Sequence, residues 1–137
     1  MKRFTAIVIV MLAAFCTASR LQAQSQEVRV HVPFGFIVGG KQLPAGSYQF
    51  VAQLNSTIII QNRDQPIAVL SRIVAANGAP PNVSRLVFNK YGDRYFLSEI
   101  RCASAALNVE LPRSKLEKQA QTEHASVESN KVLLAAN

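Results

Sequence analysis

The sequence holds 137 residues, with fifteen Lys and Arg against eight Asp and Glu, a formal charge of +7. The charges are dispersed, with no run of five or six of one sign, which speaks for a solvated surface and against a nucleic-acid footprint. The two cysteines, Cys16 and Cys102, are not closely spaced and no H-E-x-x-H occurs, which speaks against a disulfide framework and a dedicated zinc site.

The chain opens with Lys2 and Arg3, follows with an almost unbroken apolar run from Phe4 to Ala18, and reaches the small residue Ala23 through a more polar stretch. That three-part layout is the pattern of a secretory signal peptide, residues 1–23, and the apolar run is shorter than the ~20 residues a spanning helix needs. Cleavage after Ala23 is expected, with Ser19 as the alternative. Phe15 before Cys16 is too bulky for lipid processing of that cysteine. Removal of Lys2, Arg3 and Arg20 leaves twelve basic and eight acidic residues in 24–137, a charge of +4. Cys102 is then the only cysteine, expected to be buried as a small hydrophobe.

Beyond Ala23 the pattern is almost all strand, over a β domain at 24–113. Val28, Val30 and Val32 alternate with Glu27, Arg29 and His31, the period of a half-buried strand. Pro33 places that strand at an edge or ends it. Phe34, Phe36 and Val38 continue on one face until Gly39-Gly40-Lys41 turns the chain. In Leu43-Pro44-Ala45-Gly46-Ser47-Tyr48, Leu43 packs inward, Pro44 and Gly46 supply turn chemistry, and Tyr48 and Phe50 share a face of the next strand. This motif reads as the launch of a strand. Residues 56–62 and 66–76 are two further strands joined through Asn62-Arg63-Asp64-Gln65, and 77–84 is a Gly-, Pro- and Asn-rich loop.

Residues 85–100 form the strongest hairpin signal, two aromatic-rich runs about Lys90-Tyr91-Gly92-Asp93. Two registers compete. A three-residue loop with a bulge at Gly92 suits the turn rules. A two-residue Tyr-Gly loop aligns Leu86, Phe88, Tyr95 and Leu97 on one face. A short strand at 106–112 follows. Ser114, with Glu117 three residues later, forms a capping box opening a helix at 114–126. Residues 127–137 read as a loose tail, in which Val132-Leu133-Leu134 is able to dock.

No catalytic residue, cofactor or metal site is expected. The chain lacks H-E-x-x-H, G-x-S-x-G, Ser-x-x-Lys, phosphate-loop and dinucleotide fingerprints. Asp93 and Glu99 lie on one hairpin, and a glycosidase-like carboxylate pair involving them is a minor alternative. Asn55-Ser56-Thr57 and Asn82-Val83-Ser84 match the glycosylation pattern weakly. Lys90, Tyr91 and Arg94 are expected at an exposed hairpin tip, a candidate interaction patch because tyrosine and arginine are enriched at interfaces.

The segments VPFGFIVGGKQLPAGSY, LVFNKYGDRYFLSEI and ELPRSKLE resemble a family of short secreted bacterial proteins of uncharacterised function. The matching positions are Pro33, Phe34, Phe36, Val38, Gly39, Leu43 to Gly46, Tyr48, Leu86 to Phe88, Tyr91 to Asp93, Tyr95 to Leu97, Leu111, Pro112 and Ser114. The family pattern often has an acid at the place of Gly35 and an aromatic at that of Arg101. The resemblance implies export and one shared fold, and carries no activity.

The expectation is a single all-β domain, a sandwich or partly open barrel of six to eight strands with a short C-terminal helix. Its function is read as that of a non-enzymatic exported binding or structural module, periplasmic or extracellular. The partner is an envelope protein or glycan, not nucleic acid, and no transmembrane segment remains after signal cleavage. The alternative is a small-ligand binder or hydrolase with a cavity between its sheets.

Overall fold

A computed structural model describes residues 27–79, 82–103, 107–124 and 130–136. The signal-peptide reading and its cleavage site lie outside the described residues, as do positions 125–126 of the expected helix.

Alternation in the sequence becomes alternation in burial. Strand β1 (Glu27–Val32) buries Val28, Val30 and Val32 and turns Arg29 and His31 outward. Two short strands, β2 (Phe36–Val38) and β3 (Lys41–Leu43), form a hairpin about Gly39-Gly40. Then come β4 (Gly46–Gln53), β5 (Thr57–Asn62), β6 (Ala68–Arg72) and β7 (Val74–Ala75). The second half contains β8 (Arg85–Tyr91), β9 (Arg94–Cys102), β10 (Leu107–Glu110), helix α1 (Lys115–Glu123) and β11 (Asn130–Ala135).

These strands make two sheets. Sheet A has the antiparallel order β1-β4-β5-β6. Sheet B has the order β11-β8-β9-β10-β7, with β2 parallel to β9 at Ile37 and Phe96, and it curls into a half-barrel. Among the described residues the fold is all-β with one short C-terminal helix, as expected. The strands exceed the expected six to eight. Lys41–Leu43 pairs as a strand after the glycine turn, and 66–76 divides at buried Ile73 into β6 of one sheet and β7 of the other.

The core lies between the sheets. Val28, Val32, Tyr48, Phe50, Ile58 and Ile60 of sheet A meet Phe36, Leu43, Leu86, Phe88 and Ile100 of sheet B, all less than 2% exposed. Each such aliphatic or phenyl side chain contributes about 1.5–3 kcal/mol by leaving water. Phe36 packs edge-on to Tyr48 at 4.9 Å and to Phe88 at 5.5 Å, while Phe34 stacks on Tyr95 at 4.2 Å. Rings of the Phe34-Gly35-Phe36 segment thus tie the sheets together.

The Leu-Pro-Ala-Gly-Ser-Tyr motif has its explanation in Tyr48. Its ring is in the core and its hydroxyl donates to the Pro44 carbonyl at 2.5 Å, a tyrosine-corner bond that fixes the turn it leaves. Gly46 is needed for a close approach: a Cβ there meets Asn62 Nδ2 and Asp64 Oδ2 at 3.2 Å. Asn62, 3% exposed, organises the opposing turn by accepting from the amides of Asp64 at 2.7 Å and Gln65 at 3.0 Å.

The β8–β9 register differs from both sequence alternatives. Tyr91 pairs with Arg94, so the loop is Gly92-Asp93, with Gly92 at φ +60° in the first central position. Glycine carries the positive φ and Tyr91 stays in the strand. Leu86, Phe88, Tyr95 and Leu97 do share the inner face. Ser98 is a bulge between the Val87–Glu99 and Phe88–Leu97 pairs, which keeps both Leu97 and Ile100 inward.

The loose-tail reading of 127–137 is corrected at 130–135. There the chain is β11, antiparallel to β8 from Asn130–Lys90 to Ala135–Arg85, with Val132, Leu134 and Ala136 packed on the core. Ala136 donates its amide to Ser84 at 3.0 Å. Cys102 is 1% exposed, as expected, and Ser84 Oγ donates to its sulfur at 3.4 Å.

Candidate binding groove on the outer face of sheet B

Strand register determines what sheet B presents on the side away from the core. One cross-strand row reads Leu133, Val87, Glu99, Glu110, Val74 along β11, β8, β9, β10 and β7. The neighbouring row reads Ala135, Arg85, Arg101, Asn108.

Helix α1 covers one end of this face. Ser114 caps it, its Oγ accepting from the Glu117 amide at 3.2 Å. Leu116 and Ala120 then pack on Ile37, Tyr91 and Phe96. The carboxylate of Glu117 turns inward, where Asn89 Nδ2 donates to it at 3.0 Å. Both residues are buried, at 4% and 6% exposure. At the far end of α1, Arg94 donates to Glu123 at 2.7 Å and the His124 ring sits over Gly92.

The exposure expected at the hairpin tip is corrected at Tyr91. Tyr91 is 3% exposed and lies beneath α1, and Arg94, on its face, is held by Glu123. Lys90 points to the other face of the strand, with Nζ 5.2 Å from the Tyr95 ring centre. Burial raises the Tyr91 phenol above its ordinary range, the Glu117 charge adds to this, and Arg113 opposes it.

Beside α1, and reaching to its edge at Asn89, the face holds a groove of about 420 Å³. Glu99 and Glu110 line it with Arg113 and Lys131, and Asn89 and Ser98 add an amide and a hydroxyl. Val74, Leu111 and Pro112 give it an aliphatic wall. The two carboxylates are a direct cross-strand pair, a placement that brings Cβ atoms to about 4.5–5.5 Å and opposes like charges. Arg101 offsets that repulsion: its Nε donates to Glu99 at 2.7 Å, with both side chains mostly buried. Lys131 Nζ stands 4.0 Å from the other Glu99 oxygen. In the adjacent row Arg85 Nε and Asn108 Oδ1 are buried without a hydrogen-bond partner. Leaving such an atom unsatisfied costs about 1–3 kcal/mol.

The sequence singles out Asp93 and Glu99 as acids that other acids could approach in space. For Glu99 that acid is Glu110, because β10 folds back along β9. Asp93 sits in the hairpin turn. Asn89, Glu110 and Lys131 carried no local signal, since strand pairing alone makes them neighbours.

A second groove, of about 400 Å³, runs beside β1 and is lined by Arg29, His31, Ser47, Tyr48 and Arg63 among others. His31 Nδ1 lies 3.4 Å from Ser47 Oγ. The Asp64 carboxylate accepts from the Ser47 amide at 2.9 Å, so the acid orients backbone rather than an imidazole. Arg29 is held by Glu27 at 2.6 Å. Among the described residues no group of three or more His, Cys, Asp or Glu is placed to hold a metal ion, and no helix is long and apolar enough to cross a membrane. The chain matches no family model, no curated protein and no solved structure.

Proposed function

We propose that the protein is an exported, non-enzymatic binding module of the cell envelope and that the groove on the outer face of sheet B is its binding surface. The observation that carries this reading is the lining of that groove: two acids, two bases, an amide and a hydroxyl above an aliphatic wall. Such a surface suits a ligand that carries both signs of charge and many hydroxyl or amide groups. Cell-wall glycan bearing short peptides has that chemistry. The N-terminal Lys-Arg start, apolar run and small-residue end support export, as does the resemblance to secreted proteins.

A second reading is favoured by the Glu99–Glu110 pair. Glycoside hydrolases work with two carboxyl groups flanking the scissile bond, and a hydrolase acting on the same glycan gives such a cross-strand pair a role. The space between the sheets is filled by Phe36, Tyr48, Phe50 and Phe88, so this reading attaches to the surface groove rather than to a cavity inside. Equilibrium dialysis against soluble cell-wall glycopeptide fragments separates the two. The binding module retains the fragments and returns them intact. The hydrolase returns cleaved fragments, and Glu110→Gln abolishes the cleavage. Retention of nothing contradicts both. Fractionation of the host tests export: the protein is expected outside the cytoplasm as a chain shortened to about Gln24.

A further inference from the structure

The far edge of sheet A carries a separate feature. Strand β6 is its last strand, and the bonds around it tell which of its groups are spent. Ile73 donates its amide to Ser56 at 2.9 Å, and Asn62 donates to Ile67 at 2.8 Å. Thr57–Arg72 and Gln61–Ala68 are the pairs these bonds enclose, so both are non-hydrogen-bonded pairs of the ladder, as is Ile59–Leu70 between them. It follows that Ala68, Leu70 and Arg72 aim their N–H and C=O groups away from β5, along the open edge. The one bond to these groups among the described residues is local: Ser71 Oγ donates to the Arg72 carbonyl at 3.3 Å.

The side chains add direction. On the outer face of sheet A, Val51, Ile59 and Leu70 form one cross-strand row, and the row ends at the edge in Leu70, 68% exposed. The other edges are guarded. Strand β1 carries Glu27 and Arg29 and is followed by Pro33, β11 carries Lys131, and β7 has only two residues. Charges and proline are the usual means of blunting an edge. Strand β6 has a single charge, Arg72, at its end.

We infer that β6 is a self-pairing edge and that its partner is a second copy of this chain, added antiparallel about a two-fold axis at Leu70. In that register Leu70 meets its own counterpart, and Arg72 meets Ala68 of the other copy. Every outward N–H and C=O of the three residues finds a partner. No like charges face one another. The apolar row runs unbroken through both sheets, from Val51 to Leu70 and on through the other copy's Leu70 to its Val51. A contact limited to one strand pair and a row of aliphatic side chains falls below the ~1,200 Å² of standard interfaces. The dimer is therefore weak and concentration-dependent, with a dissociation constant on the order of 10–100 µM.

The experiment is sedimentation of the protein as its host processes it, from about 10 µM to about 1 mM, joined to amide hydrogen exchange at both ends of that range. A monomer–dimer equilibrium is expected, with the Leu70 and Arg72 amides slowed as the dimer fills. Leu70→Lys, at an exposed side chain, should leave the fold intact and the protein monomeric. Leu70→Pro removes only an outward N–H and should do the same, since proline is tolerated at such edge positions. Leu133→Lys, at the exposed leucine on β11, should leave the dimer unchanged. A monomer at every concentration overturns the inference. So does a dimer that survives Leu70→Lys, or one that Leu133→Lys abolishes, since self-association then runs through another surface.

Discussion

Asn89 and Glu117, 28 residues apart, meet beneath helix α1, where the amide donates to the carboxylate at 3.0 Å with both side chains almost wholly buried. The contact joins the helix to the sheet face on which the groove lies. Replacing Asn89 by Leu removes the donor and strands a buried carboxylate, which costs about 1–3 kcal/mol or more for a charged group. Replacing both residues by Leu recovers much of the loss, because no buried polar group then lacks a partner. Urea unfolding of the two single variants and the double variant measures this directly. Additive losses in the double variant contradict the pairing.

The turn between β8 and β9 depends on one glycine. Gly92 has φ +60°, and a Cβ there stands 3.0 Å from the His124 ring. Gly92→Ala should destabilise the protein by about 1–2 kcal/mol through the left-handed backbone alone, with the crowding against His124 added. Combining it with His124→Ala should relieve the crowding and leave the backbone part. Thermal unfolding of the three variants separates these contributions.

Alkaline pH should weaken the fold through its buried phenols. The Tyr48 phenol is raised above its ordinary range, first by burial and then by the nearby Asp64 charge, against the favourable Asn62 side chain. Tyr91 is raised by burial and by Glu117. Each phenol keeps its proton in the folded chain at a pH where the unfolded chain releases it. The unfolded state then binds fewer protons, so stability is unaffected below about pH 10 and falls as pH rises beyond it. Unfolding midpoints from pH 8 to 11, followed with the phenolate absorbance, should show both tyrosines ionising late. Ionisation of Tyr48 and Tyr91 in the ordinary range without loss of structure contradicts their burial.

Strand β11 is integral to sheet B. A chain ending before Asn130 uncovers the β8 edge and the inner side of Leu86 and Phe88, which β11 flanks. Loss of half-buried Val132 and Leu134 and of buried Ala136, each giving only part of the about 1.5–3 kcal/mol of a fully buried large side chain, together with the β8 ladder, should destabilise the fold markedly and expose an edge prone to aggregation. Solubility and circular dichroism of that truncated chain are the readouts. A soluble, cooperatively folding product contradicts the role given to β11.

These cases show where the sequence was legible. Alternating Val28, Val30 and Val32, the Gly39-Gly40 turn, and the Ser114 cap act over a few residues, and each stands where local pattern placed it. The β8–β9 register was not legible, because the Ser98 bulge shifts the side-chain parity that alternation relies on. Tyr91 looked like a surface aromatic because α1, which buries it, arrives from more than twenty residues downstream. Val132 and Leu134 looked like scattered apolar residues in a polar tail until β8, over forty residues upstream, gave them a partner. The groove was illegible for the same reason: Asn89, Glu99, Glu110 and Lys131 belong to four different strands.

The measurement that tests the central claim most directly is a residue-resolved amide NMR titration of the protein with soluble cell-wall glycopeptide fragments. Binding at the groove predicts saturable shifts at Asn89, Ser98, Glu99, Glu110 and Lys131, with sheet A unmoved. Glu110→Lys should lose the response while keeping the dispersed spectrum of the folded chain. Shifts confined to the β1 groove of Arg29, His31 and Arg63, or no saturable shifts at all, contradict the assignment of this surface.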